Sequence, residues 1–267
     1  MTLSPTESGR RATPRRAGPA GAALLAAATL LAGAPAAAQG FDFGAMSEQE
    51  QQAFGEAVRQ YLIENPEVVG EAIRELRRKA EETERAAEVS LVRRYLGALH
   101  DTEYSWAGGD LDGDVTIVEF LDYRCGFCKR AHPNVTAALE QDGNTRIIVI
   151  EYPILGPDSV AAGRMAMAAY RLDAELYEAL HDELMLFQGE LTERMAYRIA
   201  DQVGYDIAAL KELAKSDEIG EQIDRNYQLA EALGVRGTPT FIVGEEIVRG
   251  AVPTGDLLER IEAQRQG

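Results

Sequence analysis

Cysteine is scarce in this sequence, with only two among 267 residues. Two thiols form at most one disulfide, so the chain cannot be one of the small secreted proteins that several disulfides hold together. Two thiols also cannot supply a four-cysteine zinc site. Clusters of methionine or histidine are also missing, which argues against a metal-storage protein. The two cysteines therefore either carry chemistry or are incidental, and we expect no metal ligands and no cofactor.

Basic residues are also few for a chain of this length. There are 27 Lys and Arg against 44 Asp and Glu, which gives a net charge of −17. Four arginines lie in the first 38 residues, so the rest of the chain has 23 basic and 43 acidic residues and a net charge of −20. Such a surface repels phosphate backbones and anionic lipids, so we expect neither nucleic-acid binding nor stable membrane association.

The first 38 residues have the pattern of an export signal. Arginines at 10–16 precede an apolar run at 20–34, and Ala36-Ala37-Ala38 supplies the small residues that a signal peptidase requires. The run has only about 14 residues and is rich in alanine, which is too short for a stable membrane span. We therefore expect cleavage after Ala38 and a soluble mature protein in the periplasm, where thiols can be oxidised.

Residues 39–100 have helical periodicity throughout. Ser47-Glu48-Gln49-Glu50 is a capping box, and Asn65-Pro66 ends one helix and begins the next. Apolar or small residues then recur at alternating spacings of four and three, as in a coiled coil. So narrow a stripe buries little by itself, which favours an oligomerisation stalk and linker, although an arm packed on its own domain is the alternative. The positions of this seam are Val69, Ile73, Leu76, Ala80, Thr83, Ala87 and Ser90.

Strand patterns begin after residue 100. Runs of β-branched and aromatic residues at 115–121 and 146–152 leave room between them for one helix, from about Cys125 to Glu140. A strand–helix–strand unit of this kind predicts two parallel strands, because the helix carries the chain back to the same edge.

Further strands are predicted near the C-terminus. Residues 240–243 and 246–248 flank Gly244-Glu245, which predicts an antiparallel hairpin with a tight turn before a final helix. A block of helices at about 154–233 separates this hairpin from the first two strands, with helix starts predicted at Asp158, Thr192, Asp206 and Ser216. The sequence therefore predicts one mixed α/β domain over 101–267 with a helical insertion.

Cys125-Gly126-Phe127-Cys128 follows the first predicted strand directly and opens a helix. Free N–H groups and the positive end of the helix dipole stabilise a thiolate there, so we expect Cys125 to be the exposed, attacking sulfur. Cys128 lies one turn later, where it can form or resolve a mixed disulfide. A loop of four residues makes a poor structural staple because it restricts little chain entropy. The motif therefore predicts a redox-active dithiol.

With these motifs the chain resembles the DsbA-like thiol–disulfide oxidoreductases of the bacterial periplasm. The likeness covers about 105–265 and rests on the dithiol together with Gly237-Thr238-Pro239-Thr240-Phe241. The segment Tyr61-Leu62-Ile63-Glu64-Asn65-Pro66-Glu67-Val68 is similar to the N-terminal stalk of the ScsC-like branch, whose members trimerise through this region and include disulfide isomerases. The resemblance implies an α/β chain, a thioredoxin fold with an inserted helical domain, preceded by an all-helical N-terminal stalk.

The resemblance also implies where a substrate would bind. In that family the proline that faces the active cysteines is cis, which here points to the Thr238–Pro239 bond, with an ordinary trans proline as the alternative. Pro239 lacks an N–H and turns the chain, leaving a backbone edge beside Thr238 free to pair with an extended substrate. Gly126 and Phe127 would complete this substrate-binding surface.

A buried acid beneath the sulfurs is a further feature of the relatives, and Glu119 stands six residues before Cys125. A carboxyl group buried there would have a raised pKa and could relay the proton of Cys128. The alternative is a glutamate that faces solvent at a strand edge. We expect His132, on the helix that Cys125 opens, to lie at the helix surface or to cap the helix, and the alternative is that it tunes the sulfurs.

The residues between the cysteines bear on the direction of the reaction. Strongly oxidising relatives carry Pro-His there, whereas Gly126-Phe127 is closer to the Gly-Tyr of isomerases, so we expect a less oxidising disulfide. The leading prediction is a periplasmic disulfide isomerase or reductase. It would act as a homotrimer on misoxidised or unfolded proteins and exchange electrons with a membrane thiol reductase or oxidase. The alternatives are a dithiol oxidase and, from another class, a copper(I)-handling protein that uses the two thiolates.

Overall fold

A computed structural model describes residues 43–266, so the predicted export signal and its cleavage site lie outside the described residues. The chain forms two units, which divide between Glu64 and Asn65. Across the described residues, we find no helix with the combination of length and hydrophobicity that crossing a membrane demands.

The first unit contains a short 3-10 helix, Phe43–Ala45, and helix α1, Glu48–Glu64. The predicted capping box is present at the start of α1. The Glu50 carboxylate accepts hydrogen bonds from the Ser47 backbone N–H at 2.8 Å and from the Ser47 hydroxyl at 2.7 Å. The helix therefore begins where its local sequence satisfies N–H groups that no helical carbonyl can reach.

The second unit begins with helix α2, Pro66–Leu99, which runs for 34 residues without interruption. The apolar seam residues Val69, Ile73 and Leu76 have between 42% and 67% of their surface exposed. An arm packed on its own domain, the alternative reading of the seam, would have buried these side chains. Within the described protomer they face solvent.

Within the described part of the chain, five strands form one sheet in the order β1-β3-β2-β4-β5. The central strands β2 and β3 are parallel, as the crossover helix α3, Gly126–Asp142, predicts, and the other three pairs are antiparallel. The predicted thioredoxin fold is thereby confirmed. The strands are β1, Ala107–Gly109; β2, Val115–Leu121; β3, Thr145–Glu151; β4, Thr240–Val243; and β5, Glu246–Arg249.

Strand β1 was not predicted, because its Ala-Gly-Gly sequence has no strand propensity. It is held by pairing with the edge of β3, where Ala107 lies opposite Ile148 and Gly109 opposite Arg146. Tertiary pairing, rather than local preference, makes these three residues a strand.

The inserted helices connect β3 to β4. Side chains of Thr192, Asp206 and Ser216 accept backbone N–H bonds at the starts of α6, α7 and α8, which confirms three predicted helix starts. The predicted start at Asp158 is two residues late by the same measure, since Gly156 precedes α4 and Pro157 is its first residue. The helices are α4, Pro157–Leu172; a 3-10 helix, Ala174–Leu176; α5, Tyr177–Leu186; α6, Glu193–Val203; α7, Ile207–Ala214; and α8, Asp217–Ala232, followed after the hairpin by α9, Thr254–Gln266.

The end of α2 belongs to the core of the domain rather than to a linker. Val92 and Leu99 are fully buried in the same cluster as Phe120 and Ile148 of the sheet. The helix therefore joins the sheet about two turns before its C-terminal end, while the domain boundary at residue 100 stays a prediction. On the other face, α3 and α9 pack against the sheet around Leu257.

Candidate active site

The dithiol lies at the junction of β2 and α3. Cys125 occupies the position directly before α3, so it faces the N–H groups at the start of the helix, and Cys128 lies one turn inside. Only Cys125 has any accessible surface, 6%, whereas Cys128 is fully buried. Cys125 is therefore the more accessible of the two sulfurs, but it is buried rather than exposed as expected, and its role as the attacking sulfur stays a prediction.

The loop before the dithiol is held by Asp122, a residue that sequence reasoning missed. Its buried carboxylate accepts N–H bonds from Ile154 at 2.9 Å and Leu155 at 3.0 Å, and a hydroxyl bond from Ser159 at 2.9 Å. It also accepts the N–H of Arg124 at 2.8 Å. These bonds tie the loop that carries the dithiol to the start of the helical insertion. An acid directly after a buried strand was the available signal.

The pKa values of the two thiols diverge. The hydrogen bond from Cys128, together with the backbone N–H groups of Cys128 and Phe127, lowers the pKa of Cys125 to about 5. The bond to Cys125, burial and the nearby charge of Glu119 raise the pKa of Cys128. At neutral pH the pair therefore holds one thiolate, on Cys125, and one thiol, on Cys128.

The segment before β4 reaches the same sulfur from a distant part of the chain. The Thr238 carbonyl lies 3.2 Å from Sγ of Cys125, and the Thr238–Pro239 peptide bond is cis. Thr240 anchors the segment, since its hydroxyl donates to the Gly237 carbonyl at 2.8 Å. The structure thus brings Thr238 and Pro239 to Cys125, while their role in substrate binding stays a prediction.

Phe127 projects from the start of α3 into solvent, with 59% of its surface exposed. Arg130 covers one face of the ring, with its guanidinium carbon 4.3 Å from the ring centre. Gly126 is exposed beside it. An exposed aromatic ring next to the reactive sulfur offers a contact surface to an approaching polypeptide.

Lys129 has a structural partner that the sequence did not indicate. Its ammonium group donates to the carbonyls of Leu184 at 2.9 Å and Phe187 at 2.7 Å, at the C-terminal end of α5. Burial lowers the pKa of Lys129. The lysine therefore links α3 to the helical insertion, and the partial negative charge of the backbone carbonyls at the C-terminal end of α5 stabilises its ammonium group.

Glu119 lies in the middle of β2 and is buried, so the alternative of a solvent-facing side chain is wrong. Burial, followed by the charge of Cys125, raises the pKa of Glu119 to about 8. Its Oε1 atom has no hydrogen-bond partner among residues 43–266. Near neutral pH a carboxyl group with this pKa exchanges between a neutral form, which can release a proton, and an ionised form, which can accept one, and we propose that it does so for Cys128.

We expect Glu119→Gln to slow the steps in which Cys128 gains or loses a proton by roughly tenfold to a hundredfold, because an amide cannot exchange the proton. The rates are measured by the fluorescence of Trp106 during reaction with a disulfide peptide between pH 5 and pH 9. Glu151→Gln is the matched control, since Glu151 is also buried and burial raises its pKa to about 8, but its carboxylate bonds to Tyr177. Unchanged rates in Glu119→Gln would contradict the relay.

The same two variants also test the raised pKa values of Glu119 and Glu151, through the pH dependence of the free energy of unfolding. A carboxyl group whose pKa is about 8 when folded and near 4.5 when unfolded stabilises the fold fully below pH 4.5. That stabilisation is lost as pH rises towards 8, by an amount on the order of several kcal/mol. Both variants should flatten this loss in urea unfolding, whereas only Glu119→Gln should change the exchange rates.

His132 is buried, so its predicted place at the helix surface is wrong. Helix α5 of the insertion covers this side of α3. Nε2 of His132 lies 3.1 Å from a carboxylate oxygen of Asp182, and its ring centre is 5.2 Å from that of His181. The packing of the insertion on α3 could not be foreseen from the period of α3 alone.

Comparison with known proteins agrees with this geometry. A family model described as DSBA-like thioredoxin domain matches residues 116–262, and one described as copper resistance protein ScsC N-terminal domain matches residues 50–82. Over 163 residues, 57% of this chain and 74% of the relative, the sequence is 26% identical to a probable disulfide bond formation protein D of Bacillus anthracis. The chain also matches Na⁺/H⁺ antiporters NhaA of Salinispora tropica and Salinispora arenicola, but it spans only 22% of their length.

Solved structures give the same picture. A thioredoxin-like oxidoreductase from Silicibacter pomeroyi DSS-3 is 36% identical, with a TM-score of 0.61, and the match covers 64% of this chain and 97% of that one. ScsC of Proteus mirabilis in a transitional conformation is 26% identical, with a TM-score of 0.60. That match covers 83% of this chain and 97% of that one, so it extends beyond the thioredoxin fold into the N-terminal helices.

Proposed function

The chain belongs to the family of DsbA-like thiol–disulfide oxidoreductases, and from that premise we propose that it isomerises or reduces disulfides of misoxidised proteins. Its export by the leader at 1–38, its action in the periplasm and its reduction by a membrane thiol reductase are parts of the same proposal. They follow from the export pattern and from the need to keep Cys125 reduced.

The proposed reaction begins at Cys125. Its thiolate attacks one sulfur of a client disulfide, forming a mixed disulfide and releasing the other client sulfur as a thiolate, which takes up a proton. In isomerisation another client thiolate then attacks the bonded client sulfur and releases Cys125. In reduction Cys128 attacks Sγ of Cys125 instead, its proton passes to water or to Glu119 in its ionised form, and the Cys125–Cys128 disulfide forms as the client thiolate leaves.

The exposed seam of α2 is the observation that most supports isomerisation over oxidation. Val69, Ile73 and Leu76 leave apolar surface in solvent, and residues 50–82 match the ScsC N-terminal family. Self-association through this surface would place several dithiols around one client, and repeated attack on the same client is what isomerisation requires. A monomeric oxidase that donates one disulfide has no need of such a surface.

One observation favours the alternative, a dithiol oxidase. The pKa of Cys125, lowered to about 5 by its hydrogen bond from Cys128, is below the value of about 7 typical of thioredoxin. A strongly stabilised thiolate favours the reduced dithiol and so makes the disulfide more oxidising.

The alternative of copper handling finds no support in the stalk. The family matched at residues 50–82 is described as a copper resistance protein, yet these residues contain no cysteine, histidine or methionine. Soft ligands for copper(I) are therefore confined to the dithiol and to side chains outside the matched segment.

The reduction potential of the Cys125–Cys128 pair tests the proposal. Equilibration with glutathione buffers should give a value near those of glutaredoxins and protein disulfide isomerase, roughly −230 to −180 mV. A value near −120 mV, about that of DsbA, would overturn the isomerase and support the oxidase. Phe127→His is the matched variant, because it introduces the histidine that strongly oxidising relatives carry. It should shift the reduction potential of the pair towards more oxidising values.

A further inference from the structure

A cavity of about 390 Å³ lies between α3, α5 and the edge of the sheet. His132 of α3 and His181 and Asp182 of α5 share its wall, and their ligand atoms all lie within 4.8 Å of one another. We propose that these three residues bind a divalent transition-metal ion of the zinc type, at a site separate from the dithiol. The sequence predicted no metal ligands, because α3 and α5 come together only in the fold.

The protonation of His181 follows from its hydrogen bonds. The Glu151 carboxyl group is mostly neutral near pH 7 but keeps an acceptor at Oε1, and in the arrangement in which Tyr177 donates to it at 3.0 Å, the 3.0 Å contact between Tyr123 and Tyr177 is donated by Tyr123. Each hydroxyl has one proton, so the 3.0 Å contact between Tyr123 and Nδ1 of His181 must be donated by the histidine. Nε2 of His181 is then left with a free lone pair.

This arrangement is the one that metal-binding histidines use. The second ring nitrogen of a ligating histidine normally donates to an outer acceptor, which fixes the tautomer and the orientation of the ring. In this chain the hydroxyl of Tyr123 is that acceptor. The buried chain from Glu151 through Tyr177 and Tyr123 thus prepares Nε2 of His181 as a ligand.

Asp182 and His132 supply the other ligands. Their contact distance is 3.1 Å, and the Asp182 side chain is 51% exposed, so the carboxylate can rotate to admit an ion. Ligands on one zinc ion lie about 3.4 Å apart, since zinc–ligand bonds are close to 2.0–2.1 Å, so modest rotations would close the site. Two imidazoles, one carboxylate and a position open to the cavity match the three-ligand zinc sites of proteins.

The charge of the cavity also favours a cation. Its lining includes five carboxyl side chains, of which Glu119 is held mostly neutral by burial, and, among the described residues, neither lysine nor arginine. Such a wall raises the local concentration of cations, and the two imidazoles select ions of intermediate softness over calcium and magnesium. The five are Asp110, Glu119, Glu140, Glu178 and Asp182.

The site is tested on the mature protein with Cys125 and Cys128 oxidised to a disulfide, so that no thiolate binds metal. Zn²⁺ is titrated in competition with a chromogenic chelator, with excess Mg²⁺ to occupy weak carboxylate sites. We expect one Zn²⁺ per chain, and an affinity at least tenfold lower in His132→Gln and in Asp182→Asn. Glu183→Gln, which removes the same charge from the next, exposed residue of α5, should bind as the wild type does.

Asp182 is half-exposed, so Asp182→Asn keeps the test decisive if the buried His132 variant fails to fold. Co²⁺ in place of Zn²⁺ adds a spectroscopic readout, since nitrogen-ligated Co²⁺ absorbs visible light. The absence of saturable one-to-one binding, or equal affinity in Asp182→Asn and the wild type, would overturn the site.

Discussion

Cys128→Ser is expected to trap the chain in mixed disulfides with its clients, whereas Cys125→Ser should trap few or none. In the proposed reaction the thiolate of Cys125, the more accessible of the two sulfurs, attacks, and Cys128 is the only other cysteine that can release the bonded client. Removing Cys128 therefore removes the release step and leaves the attack intact. The adducts are counted on non-reducing gels after rapid acid quenching of cells that express each variant.

Alkylation rates check the assignment independently. At pH 5.5 a thiol whose hydrogen bonds lower its pKa to about 5 is mostly thiolate, so Cys125 should react with iodoacetamide about tenfold faster than a free thiol, even though its nucleophilicity is lower. Cys128→Ser should keep a fast rate, because the serine hydroxyl can still donate to the Cys125 thiolate, and Cys125→Ser should resist alkylation because Cys128 is fully buried. Faster reaction at Cys128 would reverse the two roles.

The second large effect is expected at the seam. Ile73→Glu combined with Leu76→Glu should convert the proposed trimer into a monomer, because an assembled seam would bury two charges in each chain. The monomer should reduce a small disulfide at the wild-type rate but isomerise scrambled disulfides poorly, since its avidity for the client is lost. Light scattering measures the mass, and recovery of activity by a scrambled disulfide protein measures the isomerisation.

Arg85→Glu is the matched control for the seam. It changes the charge by the same two units, but it lies on the opposite side of α2 and should leave the trimer intact. A truncation that begins at Glu88 provides a second test, because it keeps the ion pairs of Glu88 with Arg249 and of Arg93 with Glu245. A wild-type chain that is monomeric would remove the reason for preferring an isomerase.

Features that depend on neighbouring residues could be predicted from the sequence alone. The capping box at Ser47, the helix starts at Thr192, Asp206 and Ser216, and the placement of the dithiol between a strand and a helix are set within a few residues. The parallel pairing of β2 and β3 follows from the length of the crossover between them.

The features that only the tertiary structure decided are contacts between residues that lie far apart in the chain. Asp122 holds residues 32 to 37 positions away, and the Thr238 carbonyl reaches Cys125 across 113 residues. His132 is buried because α5 packs on α3. The sequence pattern of one helix marks which face is apolar, but not which distant element will cover the rest. Burial therefore sets the protonation of Glu119, and the packing of α5 on α3 brings His132 next to His181. Both depend on contacts between distant elements, which no local pattern contains.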